Sequence, residues 1–298
     1  MYRLLVLDMD GTLLNNKKQI SKVNKIAIRN AINAGVKVAI CTGRLLEGIE
    51  VYLKELNLLS SDNYSITCSG SLIQNNTQTK IAKYNNLNLK DLDYIDDLCA
   101  KLNITYNIYT DSAILSPEDS VYNYFDSVSN MVPLKIINKN DIRKDTILTK
   151  FTLINEDISI DKEIGQIFPN INYDRSKLIK NKKFNKYLFS DMSYLPKELF
   201  EKYTVLKTTP YTLEVIKKNS NKGEGVRILS QNLGIKRNEI ICIGDSGNDK
   251  HMIKYAGLGV AMGNAFNEIK EAADYITLSN EEDGVAHVID KFILEKIA

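Results

Sequence analysis

Short, predominantly apolar runs recur near both ends of the chain. The clearest are Leu4–Leu7, Val36–Ile40, Ile240–Ile243 and Leu258–Met262. They lack the strict polar alternation of a half-exposed strand, which is typical of parallel strands that helices cover on both faces. The pattern therefore predicts the buried strands of a parallel sheet.

A helical pattern lies between the first two runs. Ser21 can cap a helix that Gly35 can end, and the predicted apolar stripe comprises Val23, Ile26, Ala27, Ala31 and Ala34. A strand, a helix and a second strand in this order form a right-handed crossover unit. We therefore predict an α/β fold with a doubly wound, Rossmann-like parallel sheet.

The middle of the chain has a different composition. Fourteen of the fifteen glycines lie in 1–70 or 223–298, whereas all five prolines lie between these segments. The middle combines a helical stripe, Leu92 to Leu102, with strand-like stretches at Thr105–Tyr109 and Lys150–Ile154. We predict a discontinuous core domain, 1–80 and 209–298, with an inserted α+β domain at 81–208. Within the insert, Ile160–Ile167 suggests another helix, and a basic stretch occupies 177–186.

Composition excludes several classes of protein. The chain has 298 residues, 44% hydrophobic and 26% charged, with a formal net charge of +2. That charge gives no support for nucleic-acid binding, and no apolar run approaches the length of a membrane span. The four scattered cysteines predict reduced thiols in a cytoplasmic protein. The sequence leaves the oligomeric state open.

Asp8 and Asp10 follow the first apolar run directly, and Gly11 and Thr12 come next. Reactive groups in parallel sheets collect at the carboxyl ends of the strands. One carboxylate there could attack phosphorus, the other could transfer a proton, and both could help to hold a divalent cation. The alternative is a pair of acidic turn residues.

Two further motifs have the composition of phosphate-binding groups. Thr42 and Gly43 follow the Val36–Ile40 run and could bind phosphate oxygens, or Thr42 could simply cap a helix. Lys222 lies at the start of a predicted helix and could neutralise phosphate, although most lysines are simply solvated.

A fourth motif, Gly244–Asp249, follows the Ile240–Ile243 run. Its two acids and its amide suit an oxygen-seeking cation such as Mg²⁺, although Asp, Asn and Gly are also common turn residues. Since three of the four motifs follow apolar strands, one crevice at the carboxyl edge of the sheet could gather them.

Taken together, these motifs resemble those of the haloacid dehalogenase-like hydrolase superfamily. The arrangement is most similar to its Cof-type phosphatase branch, which carries a large cap between the second and third motifs. The resemblance covers the whole chain in layout and the outer segments in detail, including Leu213–Val215, Val260–Ala265 and Glu282–Ala286. One departure is Ser69, where relatives commonly carry Asn before Gly70.

The resemblance implies a role for each motif residue. Asp8 would be the nucleophile that forms an aspartyl-phosphate, and Asp10 the general acid and base. Asp8, the Asp10 carbonyl and Asp245 would hold Mg²⁺, with Asp249 orienting Lys222 or a bound water. Arg44 would be structural. The residues expected to bind the phosphoryl group are Met9, Thr42, Gly43, Lys222 and Asn248.

The leading hypothesis is a Mg²⁺-dependent phosphatase acting on small phosphorylated metabolites, with sugar phosphates as the first substrate class. Nucleotides, pyridoxal phosphate and flavin mononucleotide remain open. The alternatives are a phosphomutase of the same branch and a catalytically idle ligand-binding or regulatory protein. The substrate itself would be set by the inserted cap, which the motifs define least.

Overall fold

The computed structural model describes residues 1–78, 81–84, 87–155, 188–189, 191–209 and 211–295. The chain divides into two compact units, Met1–Tyr84 with Ser220–Ala298, and Asn85–Asn219. The boundary expected at 208/209 falls within a hairpin of the second unit. The helix expected at Ile160–Ile167 and the basic stretch at 177–186 lie outside the described residues.

The strands, in chain order, are β1 (Leu4–Leu7), β2 (Lys37–Cys41), β3 (Tyr64–Thr67), β4 (Leu72–Asn75), β5 (Ile81–Tyr84), β6 (Thr105–Tyr109), β7 (Ile114–Ser116), β8 (Leu134–Ile136), β9 (Lys150–Ile154), β10 (Tyr203–Thr209), β11 (Thr212–Lys217), β12 (Ile240–Gly244), β13 (Leu258–Ala261) and β14 (Tyr275–Ile276). The α-helices are α1 (Lys22–Asn33), α2 (Glu50–Glu55), α3 (Leu89–Leu102), α4 (Val121–Asn130), α5 (Lys197–Lys202), α6 (Lys222–Asn232), α7 (Lys250–Tyr255), α8 (Asn267–Lys270) and α9 (Gly284–Ile289).

The first unit contains an eight-stranded sheet in the order β14-β13-β12-β1-β2-β3-β4-β5. The pairs from β14 to β3 are parallel, as predicted. The β3–β4 and β4–β5 pairs are antiparallel, which the apolar pattern did not predict. Only a short turn, Cys68–Ser71, joins β3 to β4, and a parallel pairing would need a crossover of a dozen or more residues.

Strand β1 lies at the centre of this unit and is buried on both faces. Leu5 and Leu7 belong to an apolar cluster that includes residues of α1 and α9, whereas Leu4 and Val6 belong to a second cluster that includes residues of α6 and α7. This double burial explains why the sequence of β1 does not alternate. It also fixes the strand from which Asp8 and Asp10 emerge.

Helix α1 begins after Ser21, whose hydroxyl accepts a hydrogen bond from the Asn24 N–H group, as the sequence predicted. The predicted apolar stripe was wrong at Val23 and Ile26, which are about half exposed. The buried face is turned toward α9, where the buried Asn24 side chain accepts a hydrogen bond from the Ala286 N–H group. The hydrogen bond made by Asn24 satisfies its buried amide, so α1 buries the face that carries Asn24 and leaves Val23 and Ile26 partly exposed.

The second unit contains a six-stranded sheet in the order β10-β11-β9-β6-β7-β8. All of its pairs are antiparallel except β7–β8, so the predicted α+β character is confirmed. One face of the sheet carries Tyr106, Phe151 and Leu213 and packs with apolar residues of α3. The next residues along these strands, Asn107, Thr152 and Glu214, are polar and also buried.

The four cysteines, Cys41, Cys68, Cys99 and Cys242, are buried free thiols, as predicted. Among the helices that the structure describes, none has the length and apolar character that a bilayer span requires.

The buried ion pair between Lys150 and Glu214 gives a test of the second unit. The two groups lie 2.5 Å apart, with side chains that are 4% and 10% exposed. Lys150→Met would leave Glu214 as a buried charge without this partner, and we expect the free energy of unfolding to fall by about 3 kcal/mol. The change is measured by urea unfolding followed by circular dichroism.

Lys202→Met is the matched control, because Lys202 pairs with Glu198 on an exposed helix face. An exposed pair of this kind contributes little, so we expect the free energy of unfolding to fall far less than in Lys150→Met, even with the Tyr94 ring near Lys202 Nζ. Equal effects of the two variants would contradict this account of the buried pair.

Candidate active site

The carboxyl ends of three neighbouring parallel strands bring the predicted motifs together. Asp8 follows β1, Thr42 follows β2 and Asp245 follows β12, and these strands are adjacent in the order β12-β1-β2. The fourth group, Lys222, is the first residue of α6. All four motifs therefore lie within the first unit.

The Lys222 ammonium links two of the predicted acids. Its Nζ atom lies 2.5 Å from Asp8 Oδ1 and 2.6 Å from Asp249 Oδ1, and the three side chains are almost completely buried. Burial alone would lower the pKa of Lys222, but the Asp249 and Asp8 carboxylates outweigh it and raise that pKa well above its ordinary value. The ammonium therefore stays charged at neutral pH.

Asp249 also organises the loop that carries it. Its Oδ2 atom accepts hydrogen bonds from the N–H groups of Asp245 (3.0 Å) and Ser246 (2.9 Å). With Lys222 on Oδ1, both of its carboxylate oxygens have partners. Asp249 thus ties Lys222 to the Asp245 loop.

Asp245 and Asp8 have oxygens that approach each other closely. One oxygen each from Asp8, Asp245 and Asp249 forms a set whose members all lie within 4.8 Å of one another. Burial and the charge of Asp249 raise the pKa of Asp245 to about 6. Burial, with the charge of Asp249, also raises the pKa of Asp8, although Lys222 opposes this. Such carboxylates suit a divalent cation, which would relieve their mutual repulsion.

Asp10 lies in a different electrostatic environment. Arg44 donates two hydrogen bonds to it, from Nε to Oδ2 at 2.8 Å and from Nη2 to Oδ1 at 2.7 Å. Lys18 Nζ donates a third, also at 2.7 Å. Burial alone would raise the pKa of Asp10, but Arg44 and then Lys18 outweigh it and lower that pKa to about 2.

The other predicted residues surround this centre. Thr42 is buried, and its Oγ1 atom accepts the Arg44 N–H group at 3.2 Å. Asn248 is half-buried, and its Oδ1 atom accepts a hydrogen bond from the Ser246 hydroxyl at 2.8 Å.

The backbone near Asp8 and Thr42 supplies the remaining predicted groups. Met9 is buried, and its carbonyl oxygen accepts hydrogen bonds from the N–H groups of Thr12 and Leu14. Gly43, between Thr42 and Arg44, is half-buried. Phosphate binding by these residues stays a prediction.

Three polar contacts of the site were not predicted from the sequence. Arg44, for which the resemblance implied a structural role, binds Asp10 directly. No role was predicted for Thr12, whose hydroxyl donates to Asp245 Oδ1 at 2.8 Å, or for Lys18. Arg44 and Thr12 adjoin predicted site residues, which is the only signal that could have identified them. Nothing in the sequence pattern distinguishes Lys18 from a solvated lysine.

The bidentate contact from Arg44 predicts how Asp10 titrates in the metal-free protein. Because folding lowers the pKa of Asp10, its contribution to stability is present above its ordinary pKa of 3.8 and is lost as the pH falls toward 2. Arg44→Gln should raise the titration midpoint toward the ordinary value. The midpoint is measured by ¹³C NMR of the aspartate carboxyl carbons.

Lys18→Gln is the comparison variant, because Lys18 supplies a single contact from a side chain that is 55% exposed. We expect it to raise the midpoint less than Arg44→Gln does. A wild-type midpoint at or above 3.8 would contradict the assignment.

Comparison with known proteins places the chain in a family. The family described as haloacid dehalogenase-like hydrolase matches residues 5–289. A Bacillus subtilis protein named "Putative phosphatase YxeH" is 34% identical over 298 residues, which cover 99% of this chain and 100% of that protein. Another B. subtilis relative, 5-amino-6-(5-phospho-D-ribitylamino)uracil phosphatase YwtE, is 30% identical over 302 residues, with 98% of each chain covered.

A solved structure agrees with this match. A haloacid dehalogenase-like hydrolase from Bacteroides thetaiotaomicron is 28% identical, with a TM-score of 0.76 over 98% of this chain and 100% of that one. The chain belongs to the haloacid dehalogenase-like hydrolase family, as its motifs implied.

Proposed function

We propose that this hydrolase is a Mg²⁺-dependent phosphatase that releases phosphate from small phosphorylated metabolites through an aspartyl-phosphate on Asp8. One observation carries the proposal: Asp8, Asp245, Asp249 and Lys222 are gathered where parallel strands end. A nucleophilic carboxylate, acidic metal ligands and a fixed ammonium are the groups that phosphoryl transfer requires.

The donor set fits Mg²⁺. Both oxygens of Asp249 already accept hydrogen bonds, so the cation would be held by Asp8, Asp245 and the Asp10 carbonyl. When bound, Mg²⁺ would shield the repulsion between Asp8 and a phosphate dianion and oppose the charge that develops during transfer. Asp249 would act through its contacts, by holding Lys222 and the Asp245 loop in place.

Asp8 would begin the reaction. One of its carboxylate oxygens would attack phosphorus, and the bond from phosphorus to the ester oxygen would break. Lys222, 2.5 Å from Asp8 Oδ1, would hold the carboxylate in place and bind a phosphoryl oxygen. Thr42, Gly43, Asn248 and the backbone N–H group of Met9 would bind the remaining phosphoryl oxygens.

Asp10 would move the protons. It would give a proton to the departing ester oxygen, then take one from the water that attacks the aspartyl-phosphate and regenerates Asp8. In the free protein Asp10 is held ionised by Arg44 and Lys18. A bound phosphate dianion would raise its proton affinity, since a nearby negative charge disfavours the ionised carboxylate.

Sugar and polyol phosphates form the proposed substrate class. A relative with 30% identity is named for a substrate that carries a phosphoribityl group, which is a phosphorylated polyol. We further propose that the second unit acts as the cap domain that selects the substrate. The four free thiols are consistent with a cytoplasmic location.

The direct test is a panel of phosphate monoesters assayed with Mg²⁺ for free phosphate and for isomerised ester. We expect phosphate release, with the highest rates for sugar and polyol phosphates. An isomer formed without free phosphate would instead indicate a phosphomutase, and binding without turnover would indicate an idle scaffold.

Asp8→Asn and Asp10→Asn should each lower kcat by at least about 1,000-fold. Each variant replaces a reacting carboxylate with an amide of similar size, which can neither attack phosphorus nor transfer the proton. Asp274→Asn is the control, since this exposed aspartate lies outside the site and should leave kcat unchanged. Unchanged circular dichroism would show that the fold is retained. Full activity of Asp8→Asn would contradict the proposed nucleophile.

The raised pKa of Asp245 predicts how Mg²⁺ affinity depends on pH. Protons compete with the cation for this carboxylate, so Mg²⁺ binding should weaken by up to about tenfold per unit as the pH falls below about 6. Isothermal titration calorimetry with MgCl₂ measures this. Asp245→Asn should bind Mg²⁺ weakly and with a shallower pH dependence, because Asp8 is then the one carboxylate of the proposed ligand set for which protons compete. Wild-type affinity in this variant would remove Asp245 from the metal site.

A further inference from the structure

Three consecutive residues of the turn between β3 and β4 have left-handed backbone conformations. The φ angles are 50° at Cys68, 57° at Ser69 and 96° at Gly70. Only the third is a glycine, and the left-handed region is unfavourable for residues that carry a Cβ atom. All three residues are fully buried. The surrounding structure must therefore stabilise this conformation.

Part of this stabilisation comes from the loop that follows β2. The N–H group of Cys68 donates to the carbonyl oxygen of Arg44 at 3.1 Å, and that of Ser69 donates to the carbonyl oxygen of Thr42 at 3.0 Å. These backbone bonds fix the loop that carries Thr42, Gly43 and Arg44.

Another side of the turn abuts the amino end of α6. A Cβ atom at Gly70 would overlap the carbonyl oxygen of Asn221 and would lie 2.9 Å from the backbone nitrogen of Lys222. A Cβ atom at Gly225 would lie 2.6 Å from Ile66 Cγ2 and 3.4 Å from Gly70 Cα. The backbone of the turn and the first turn of α6 are therefore in direct contact.

We propose that the turn Cys68–Gly70 is a positioning element, which sets the Thr42–Arg44 loop and the Lys222 end of α6 at the separation that phosphoryl transfer needs. The inference rests on the proposed function, in which Thr42 and Lys222 bind the same phosphoryl group. The turn acts through backbone atoms. The N–H groups of Cys68 and Ser69 hold the Thr42–Arg44 loop, and the absence of a side chain at Gly70 lets the start of α6 pack directly against the turn.

Backbone action makes a specific prediction for Ser69. Asn enters the left-handed region more readily than most residues, whereas a β-branched residue is strongly disfavoured there. Ser69→Asn should therefore keep kcat within about threefold of wild type, and Ser69→Val should lower it at least about tenfold. Activity that is lost with Val and kept with Asn at this position would assign the effect to the backbone conformation.

Gly70→Ala tests the contact with α6, and Gly35→Ala is its matched control. Both glycines have left-handed φ angles, 96° and 85°, but a Cβ atom at Gly35 would meet nothing within 4 Å. Gly35→Ala should lower Tm by a few degrees, roughly as loss of a left-handed glycine implies, and Gly70→Ala should lower it further, because its Cβ atom also overlaps the Asn221 backbone. Only Gly70→Ala should also lower kcat, by about 100-fold, because it displaces Lys222.

Crystal structures of the two variants give a readout that is independent of turnover. In Gly70→Ala, Lys222 Nζ should lie beyond hydrogen-bonding distance of Asp8 Oδ1, more than about 3.5 Å away, while Gly35→Ala should keep the contact. An unmoved Lys222 in Gly70→Ala, equal kcat losses in the two glycine variants, or a large loss in Ser69→Asn would overturn the proposal. If the wild type hydrolyses no ester, the proposed function fails, and the two crystal structures still decide whether the turn positions Lys222.

Discussion

The buried ion pairs of Lys222 are the interaction on which the site depends. A charged ammonium with almost no solvent exposure needs compensation, and the carboxylates of Asp8 and Asp249 supply it at 2.5 and 2.6 Å. This contact joins three segments of the chain: the turn after β1, the start of α6 and the loop after β12. It also holds the Asp8 carboxylate in one place, while Asp245 brings a further negative charge nearby. A site with this excess of negative charge is prepared to bind a cation.

Close backbone approach makes that arrangement possible. A Cβ atom at Gly244 would lie 2.5 Å from Asp249 Cβ, and one at Gly223 would lie 2.5 Å from the carbonyl oxygen of His251. Glycine at these positions lets the Asp249 loop and the first turn of α6 pack without intervening side chains. The concentration of glycine in the outer segments of the chain therefore reflects packing around the charged centre as well as turns.

The sequence predicted the elements that carry the site better than the contacts within it. Apolar runs locate β1, β2 and β12, and the polar residues that follow them must meet at one sheet edge. The pairing of Arg44 with Asp10 depends on where a long side chain points, and apolar periodicity does not encode that. The exposure of Val23 follows from a tertiary contact of Asn24, and the left-handed conformation of Ser69 from two hydrogen bonds to a distant loop. Such features arise only once the elements of the first unit are packed together.

The central claim is that Asp8 carries the phosphoryl group, and trapping that intermediate tests it most directly. Wild-type protein is quenched in acid during turnover of a phosphate ester, reduced with borohydride and digested for mass spectrometry. Reduction converts an aspartyl-phosphate into homoserine. The account predicts homoserine at position 8, dependent on both ester and Mg²⁺. Homoserine at position 10, or steady turnover with residue 8 always recovered as unmodified aspartate, would contradict it.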